Sequence, residues 1–363
     1  MRESVSGRID APAAKRPVVR SPLRWRQATG AVVAPLAGAA FGFLCGALLM
    51  LLSGADPLAA YRVLVQGAFG GTRQLSETIL KTTPLLLMGL GLTVAFRCRV
   101  WNIGGEGQYF LGATAGAIAG LALQAHLPAA ALIPLMLLAG MVAGALWAGL
   151  AGWLRLRFGI NEIISSLMLN YIGQYLVLYL ARSPLKDPES YLPQSAQLMG
   201  AARMPTLGDT RLHIGILIAL LMVPFVYFLL WQTSLGFRIR AIGANETAAR
   251  YAGMRVARHI LLVMLFSGAL AGMTGIIEVS ALHTRLKSGI GAGYGFTAIL
   301  VALLGRLHPV GVLFAALFFA ALTIGVQSMH SVYGLPIALA QVIQGLVVLF
   351  VLAADALVRR LWR

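Results

Sequence analysis

Acidic residues are scarce in this 363-residue sequence, with 12 aspartates and glutamates against 29 lysines and arginines, and charged residues of both signs amount to only 11%. Soluble domains carry about 25% charged residues, so an ordinary soluble fold is a poor fit from the outset. Cysteine is rarer still. Cys45 and Cys98 are the whole complement, and each lies beside or inside an apolar run, which leaves no disulfide framework. The six histidines are scattered and no Cys/His set has metal spacing. No serine–histidine–acid arrangement is visible either, so the residues themselves offer neither a metal centre nor a nucleophile with its base. A phosphate loop is also missing. The run Gly289-x-Gly291-x-Gly293-x-Gly295 lacks the G-x-G-x-x-G spacing and any G-K-[S/T], follows no strand, and reads as a flexible lead-in to a helix.

What is abundant is apolar surface. The chain is 59% hydrophobic with a mean hydropathy of +0.81, and runs of about twenty apolar residues recur throughout. This predicts an all-α, polytopic membrane protein in a lipid bilayer. The net charge of +17 does not indicate nucleic acid, because lysine and arginine gather in short segments at one end of the runs. The N-terminal tail, inner loops and C-terminus hold 20 of the 29 basic residues and the outer segments hold nine. That bias places both termini in the cytoplasm and fits an even number of spans, about ten. Residues 1–28 form a basic cytoplasmic arm, with no clear cleavage site in the long run that follows, and 29–363 form the membrane domain.

The first expected span is about Gly30 to Leu52, with Gly38, Gly42 and Gly46 as a stripe for close helix approach. Ser53 to Lys81 reads as an outer, partly helical interfacial segment, followed by a span from about Thr82 to Phe96 that stops at Arg97 and Arg99. Further spans run from about Asn102 to Leu123 (glycine stripe Gly112, Gly116, Gly120), from just after His126-Leu-Pro128 to Leu154, and from about Asn161 to Ala181. Ser183 to Arg211 is the longest outer loop, kept extended or turning by Pro184, Pro188, Pro193 and Pro205. Spans at about Leu212–Trp231 and Ile260–Ser280 flank a polar island. A short apolar run follows the glycine-dense stretch. After an inner turn at Arg306, His308 and Pro309 come two last spans, Val310–Val326 and Ile337–Leu357. No internal repeat is evident.

Two stretches inside the spans can carry chemistry. In Trp101-Asn-Ile-Gly-Gly-Glu-Gly-Gln108 three glycines within four positions make an irregular helix start, which survives at membrane depth only where protein buries it or water reaches it. Asn102, Glu106 and Gln108 beside that break are pathway candidates. Equally, Glu106 can be a carboxylate satisfied by exposed backbone N–H groups and by Arg97 or Arg99. In the fifth span, Glu162, Ser166, Asn170 and Gln174 recur every four residues and form one drifting polar stripe. Ser166, Asn170 and Gln174 line a pathway or bind helices together through hydrogen bonds worth roughly 0.6–2 kcal/mol each. Glu278, Gln327, Gln341 and Gln344 read as packing or interface groups.

The polar island, Gly236 to Arg258, carries Arg238, Arg240, Arg250, Arg255 and Arg258 against a single acid, Glu246. Gly243, Ala244, Ala248, Ala249, Ala252 and Gly253 leave its middle nearly bare. Asn245 can cap a short helix through Ala248 and Arg250, with Glu246 at the positive end of its dipole. Such a helix suits a groove on another protein, although a basic loop that only sets orientation would also satisfy the composition.

The pattern formed by Gly236, Arg240, Ala241, Gly243, Asn245, Ala248, Ala249, Arg250 and Gly253 resembles the ATPase-facing loop of sugar- and nucleoside-type ABC importer permeases. Asn102, Ile103, Gly104, Glu106, Gly107 and Gln108 are similar to the N-I-G-x-E-G-Q signature of the nucleoside-type branch, as is Asn161-Glu162 through Asn170-Tyr171. The resemblance implies a coupling loop at 232–258, with Arg240, Gly243, Asn245, Glu246, Ala248, Ala249, Arg250 and Gly253 facing a cytoplasmic ABC ATPase. It implies a second related permease, as a heterodimer or homodimer, a substrate-binding lipoprotein or periplasmic protein, and residence in a bacterial inner membrane. The permease itself is then no enzyme and holds no cofactor, ATP acting on the partner ATPase. The expected solute is a nucleoside or, alternatively, a simple sugar. The rival reading is an ion-coupled secondary transporter that uses Glu106 and Glu278.

Overall fold

The computed structural model describes residues 23–361 apart from Ser53, Asp209, Ser288, Ala292 and Leu335. Most of the basic arm and Arg363 therefore lie outside the described residues. The described chain is helical and carries no named strand, as its apolar runs predict. In order the helices are α1 (Leu23–Leu52), α2 (Pro57–Phe69), α3 (Thr72–Arg97), α4 (Gly105–Leu123), α5 (Ala129–Phe158), α6 (Glu162–Arg182) and α7 (Gly215–Gln232). They continue with α8 (Ser234–Ala244), α9 (Glu246–Tyr251), α10 (Val256–Glu278), α11 (Tyr294–Leu304), α12 (Pro309–Tyr333) and α13 (Ile337–Leu361). Each expected span falls on one of these helices. Among the described residues six helices, α3, α5, α6, α7, α10 with its π-helical extension to His283, and α12, are long and apolar enough to cross a membrane.

The second helix of the expected set needs correction. It does not begin at Thr82 but at Thr72, so the presumed outer segment is divided between α2 and the first turns of α3. Every residue from Thr82 to Phe96 is buried, so only this portion of α3 shows as a continuous apolar run in the sequence. Helix α1 likewise starts at Leu23, earlier than Gly30.

Two cores organise the helices. The larger gathers α3–α8, α10, α11 and the first half of α12, and the smaller lies among α1, α2, the second half of α12 and α13. Helix α10 packs on α3, α4 and α5. Glycine permits that triple meeting, because a Cβ on Gly112 would lie 2.2 Å from Gly272 Cα, and one on Gly272 would lie 2.1 Å from the Gly140 carbonyl oxygen. Backbones that approach so closely gain van der Waals contact that lipid tails cannot supply. The Gly38–Gly42–Gly46 stripe does the same for α1 against α13, where a Cβ on Gly42 would lie 2.5 Å from Val347 Cα.

The long loop before α7 is pinned to the stretch that follows α10. Ser195 N donates to Leu286 O (2.8 Å), Leu198 N to Thr284 O (2.8 Å), and Arg285 forms an ion pair with Asp187. At the other end of α11, the turn through Arg306 and Leu307 has positive φ at both residues (54° and 53°). Arg97 Nε donates to Leu307 O at 2.8 Å and stabilises that turn.

Candidate functional site

In the irregular stretch before α4, Asn102 and Gly104 are buried and side chains satisfy several of the backbone groups. Asn102 Nδ2 donates to Gln108 Oε1 and to Ser267 Oγ, each at 3.0 Å, and its Oδ1 accepts from Gly104 N and Gln108 Nε2. Helix α6 supplies the rest. Ser166 Oγ accepts from Ile103 N at 3.2 Å, while Asn170 Oδ1 accepts from Gly107 N at 2.7 Å and its Nδ2 donates to Ile103 O at 2.8 Å. These side chains form a latch that satisfies backbone groups which no regular helix could satisfy. Gln174 is not part of it and is exposed. Four-residue steps rotate a helical stripe by about 40° each, so it has turned away by the fourth member. In its place Gly173 lies against Gly107, where a Cβ would come within 3.0 Å of Gly107 Cα. Glu162, at the start of α6, pairs with Arg155 at 2.5 Å.

Glu106 takes neither Arg97 nor Arg99 as partner. Its carboxylate accepts from Gly293 N (3.1 Å) and Gly295 N (2.6 Å), the exposed amides where α11 begins. An anion there meets unsatisfied donors and the positive end of the dipole together. The glycine run makes the approach possible, since a Cβ on Gly291 would sit 2.3 Å from Glu106 Oε1 and one on Gly295 would sit 2.4 Å from Glu106 N. A run that reads as flexible in sequence is a fitted cradle in the fold.

Between those two amides stands Tyr294, which opens a second arrangement. A cavity of about 270 Å³ lies between α3, α11, α12 and α13, lined by Lys81, Leu85, Tyr294, Thr297, Thr323, Val326, Gln327, Gln341 and Gln344. The Lys81 ammonium donates to the Tyr294 hydroxyl and lies 5.1 Å from its ring centroid. Glu278, at the C-terminal end of α10, is buried at 1% exposure. Lys81 is about 14 Å along α3 from its first residue, which puts a charge well inside the bundle. The sequence signals were present but separated. Gln327, Gln341 and Gln344 read singly as packing groups, and Lys81 reads as the end of an outer segment because Tyr294, which accepts its hydrogen bond, is 213 residues further along the chain.

The polar island folds as α8, α9 and the first turn of α10. Asn245 Oδ1 accepts from Ala248 N at 3.0 Å and caps α9, and Glu246 pairs with Arg250 at 2.6 Å across one exposed turn. The expected coupling residues divide into two groups. Gly243 and Ala249 face the chain's own body: a Cβ on Gly243 would lie 1.9 Å from Arg97 O, and Ala249 is 3% exposed. Arg240 is half-buried with its guanidinium 5.9 Å from the Trp231 ring centroid. Asn245, Ala248, Arg250 and Gly253 are exposed. Beside them Tyr251 is 90% exposed, a large aromatic that the island's small-residue pattern does not single out.

Comparison with known proteins gives a consistent set of relatives. Residues 74–352 match the family described as "Branched-chain amino acid transport system / permease component". The chain is 39% identical to a glucose ABC transporter permease protein of Haloferax volcanii over 321 residues, which cover 85% of this chain and 84% of that one. It is 36% identical to a guanosine ABC transporter permease protein of Bacillus subtilis over 330 residues, 90% of this chain and 94% of the relative. A nucleoside ABC transporter permease protein of Lactococcus lactis subsp. cremoris is 32% identical over 333 residues, covering 89% and 91%.

Proposed function

The chain belongs to the branched-chain amino acid transport system permease family, and from that premise we propose how its parts divide the work of solute import. It is the transmembrane subunit of an ATP-driven ABC importer, a multi-pass membrane protein whose ATP hydrolysis belongs to a separate ATPase subunit and which works with a substrate-binding protein. The proposed membrane is the bacterial inner membrane, and the proposed partner permease is a related second chain that completes the pathway.

The observation that carries the coupling assignment is the exposed face of α9. Its capped first turn, the exposed Ala248 and Arg250, and the bare aromatic Tyr251 form a contact surface whose rear is locked to the body by Gly243 and Ala249. A lever must be stiff toward its own bundle and unoccupied toward its partner, and this one has both properties. ATPase movement is then delivered to α7 and α10, the two helices on either side of the island.

The solute passes along the cavity walled by Lys81, Tyr294 and the threonines and glutamines of α11–α13. Apart from the Lys81 ammonium the lining offers hydroxyl, amide and apolar groups, which suits an uncharged solute rich in hydroxyl and amide-like groups, and nucleosides fit that description. The similarity to a glucose permease supports a simple sugar as the second reading. Glu106, Asn102, Gln108, Ser166 and Asn170 serve the pathway by position. Glu106 holds the amides on either side of Tyr294, and the latch holds Glu106's own helix start.

The test is uptake by vesicles reconstituted with permeases, ATPase and binding protein, using a radiolabelled nucleoside and then glucose. Uptake should require ATP hydrolysis, and Tyr294→Phe and Gln341→Leu should slow it without loss of the bound ATPase. Uptake that persists without the ATPase and follows a proton gradient would replace this reading by secondary transport.

A further inference from the structure

A pocket and a groove meet beside the coupling loop. The pocket, about 500 Å³, is bordered by Arg238, Arg255 and Arg258 together with Leu235 and Leu262. The groove, about 390 Å³, is almost wholly apolar and shares Leu235 and Leu262 with the pocket. It continues along α7 and α10 to Phe225 and Phe266, whose rings stack with centroids 6.5 Å apart, and to Ala269. All three arginines are exposed, and among the described residues none of them forms an ion pair, in contrast to Arg250 with Glu246.

The dimensions are those of one membrane leaflet. Arg258 and Ala269 lie eleven residues apart on α10, about 16 Å along its axis and roughly half of a 30 Å hydrocarbon core. The arginines stand at the ends of α7 and α10 that carry the basic island, the end where anionic headgroups of the cytoplasmic leaflet lie. A soluble anion would use the arginines and leave the groove idle, whereas an acyl chain alone would leave three cations unmatched. We propose that pocket and groove together bind one anionic phospholipid, its phosphate on Arg238, Arg255 and Arg258 and one chain past Leu262 toward Phe225 and Phe266. Seated between the coupling loop and α10, the lipid fills a space that would otherwise let these elements shift against each other. The proposal does not depend on which solute is carried.

The experiment is native mass spectrometry of the intact transporter complex released from vesicles containing equal amounts of phosphatidylglycerol and phosphatidylcholine. The natural permease should retain phosphatidylglycerol in preference. Combined Arg238→Gln, Arg255→Gln and Arg258→Gln should weaken that retention on the order of a hundredfold, from about 1 kcal/mol per arginine at a charged membrane surface. The corresponding lysine triple variant should keep most of it and controls for folding. Ala269→Phe, which fills the groove without touching a charge, should also lower retention. Equal retention of the two lipids, or unchanged retention by the glutamine variant, would overturn the proposal. So would tight binding of free glycerophosphoglycerol together with an inert Ala269→Phe, which would make the pocket a site for soluble anions. Retention only in complexes stripped of the ATPase would overturn it as well, by giving the arginines to that partner's acids.

Discussion

Replacing Asn170 with leucine separates two roles that polar residues inside membrane helices can play. The side chain accepts from Gly107 N at 2.7 Å and donates to Ile103 O at 2.8 Å, and it is 4% exposed. Leucine has similar bulk and no polar atom, so both backbone groups would lose their partner in a place water reaches poorly. Each buried orphan costs about 1–3 kcal/mol, and two cost about 2–6 kcal/mol. Against a net stability on the order of 5–15 kcal/mol, that is a large fraction. Ser166→Ala removes one acceptor at 3.2 Å and should cost about half as much. Gln174→Leu, at an exposed position of the same stripe, should cost close to nothing. The assay is the amount of assembled permease–ATPase complex recovered per unit of membrane, followed by uptake per assembled complex. Asn170→Leu is expected to lower recovery sharply and to leave normalised uptake near that of the natural protein. Full recovery with slowed normalised uptake would refute the latch and return Asn170 to the pathway itself.

Three further outcomes follow from particular contacts. Reporter fusions at Gln197 and Glu246 should report the outer and inner sides of the membrane respectively, and the same side for both would break the proposed topology. Ala248→Trp should insert normally but fail to retain the ATPase, whereas Ala249→Trp should overfill the chain's own packing at about 1–3 kcal/mol and reduce recovery of the permease; identical behaviour of the two would argue against the assigned orientation of α9. The guanidinium of Arg285 holds the Asp187 carboxyl below the usual carboxylate range. The tie is therefore present at neutral pH and is lost only as pH falls through that lowered value. Asp187→Asn should make the outer loop as sensitive to proteolysis at neutral pH as the natural loop becomes in strong acid, and an unchanged digestion pattern would dismiss the tie.

The helices were legible because each apolar run is long, and the glycine stripes because a repeat every four residues keeps one face bare. What the sequence hid were properties fixed by a distant partner. Lys81 looks unfit for a membrane helix until Tyr294 stands beside it, so the sequence alone starts the span at Thr82. Ala248 and Ala249 are equally small, and only the packing of α9 turns the second inward. Glu162, Ser166, Asn170 and Gln174 share a spacing, yet the drift of about 40° per step gives the first to Arg155, the next two to the α4 lead-in and the last to the surface. Glycines 289–295 show the general difficulty. A glycine states that something comes near or that the backbone turns unusually, and it does not say which. Here a carboxylate comes near, from a residue 185 positions earlier than Gly291. The cost of adding a Cβ at Gly291 would therefore fall on Glu106 and through it on Tyr294, so a change in this stretch should register at the cavity.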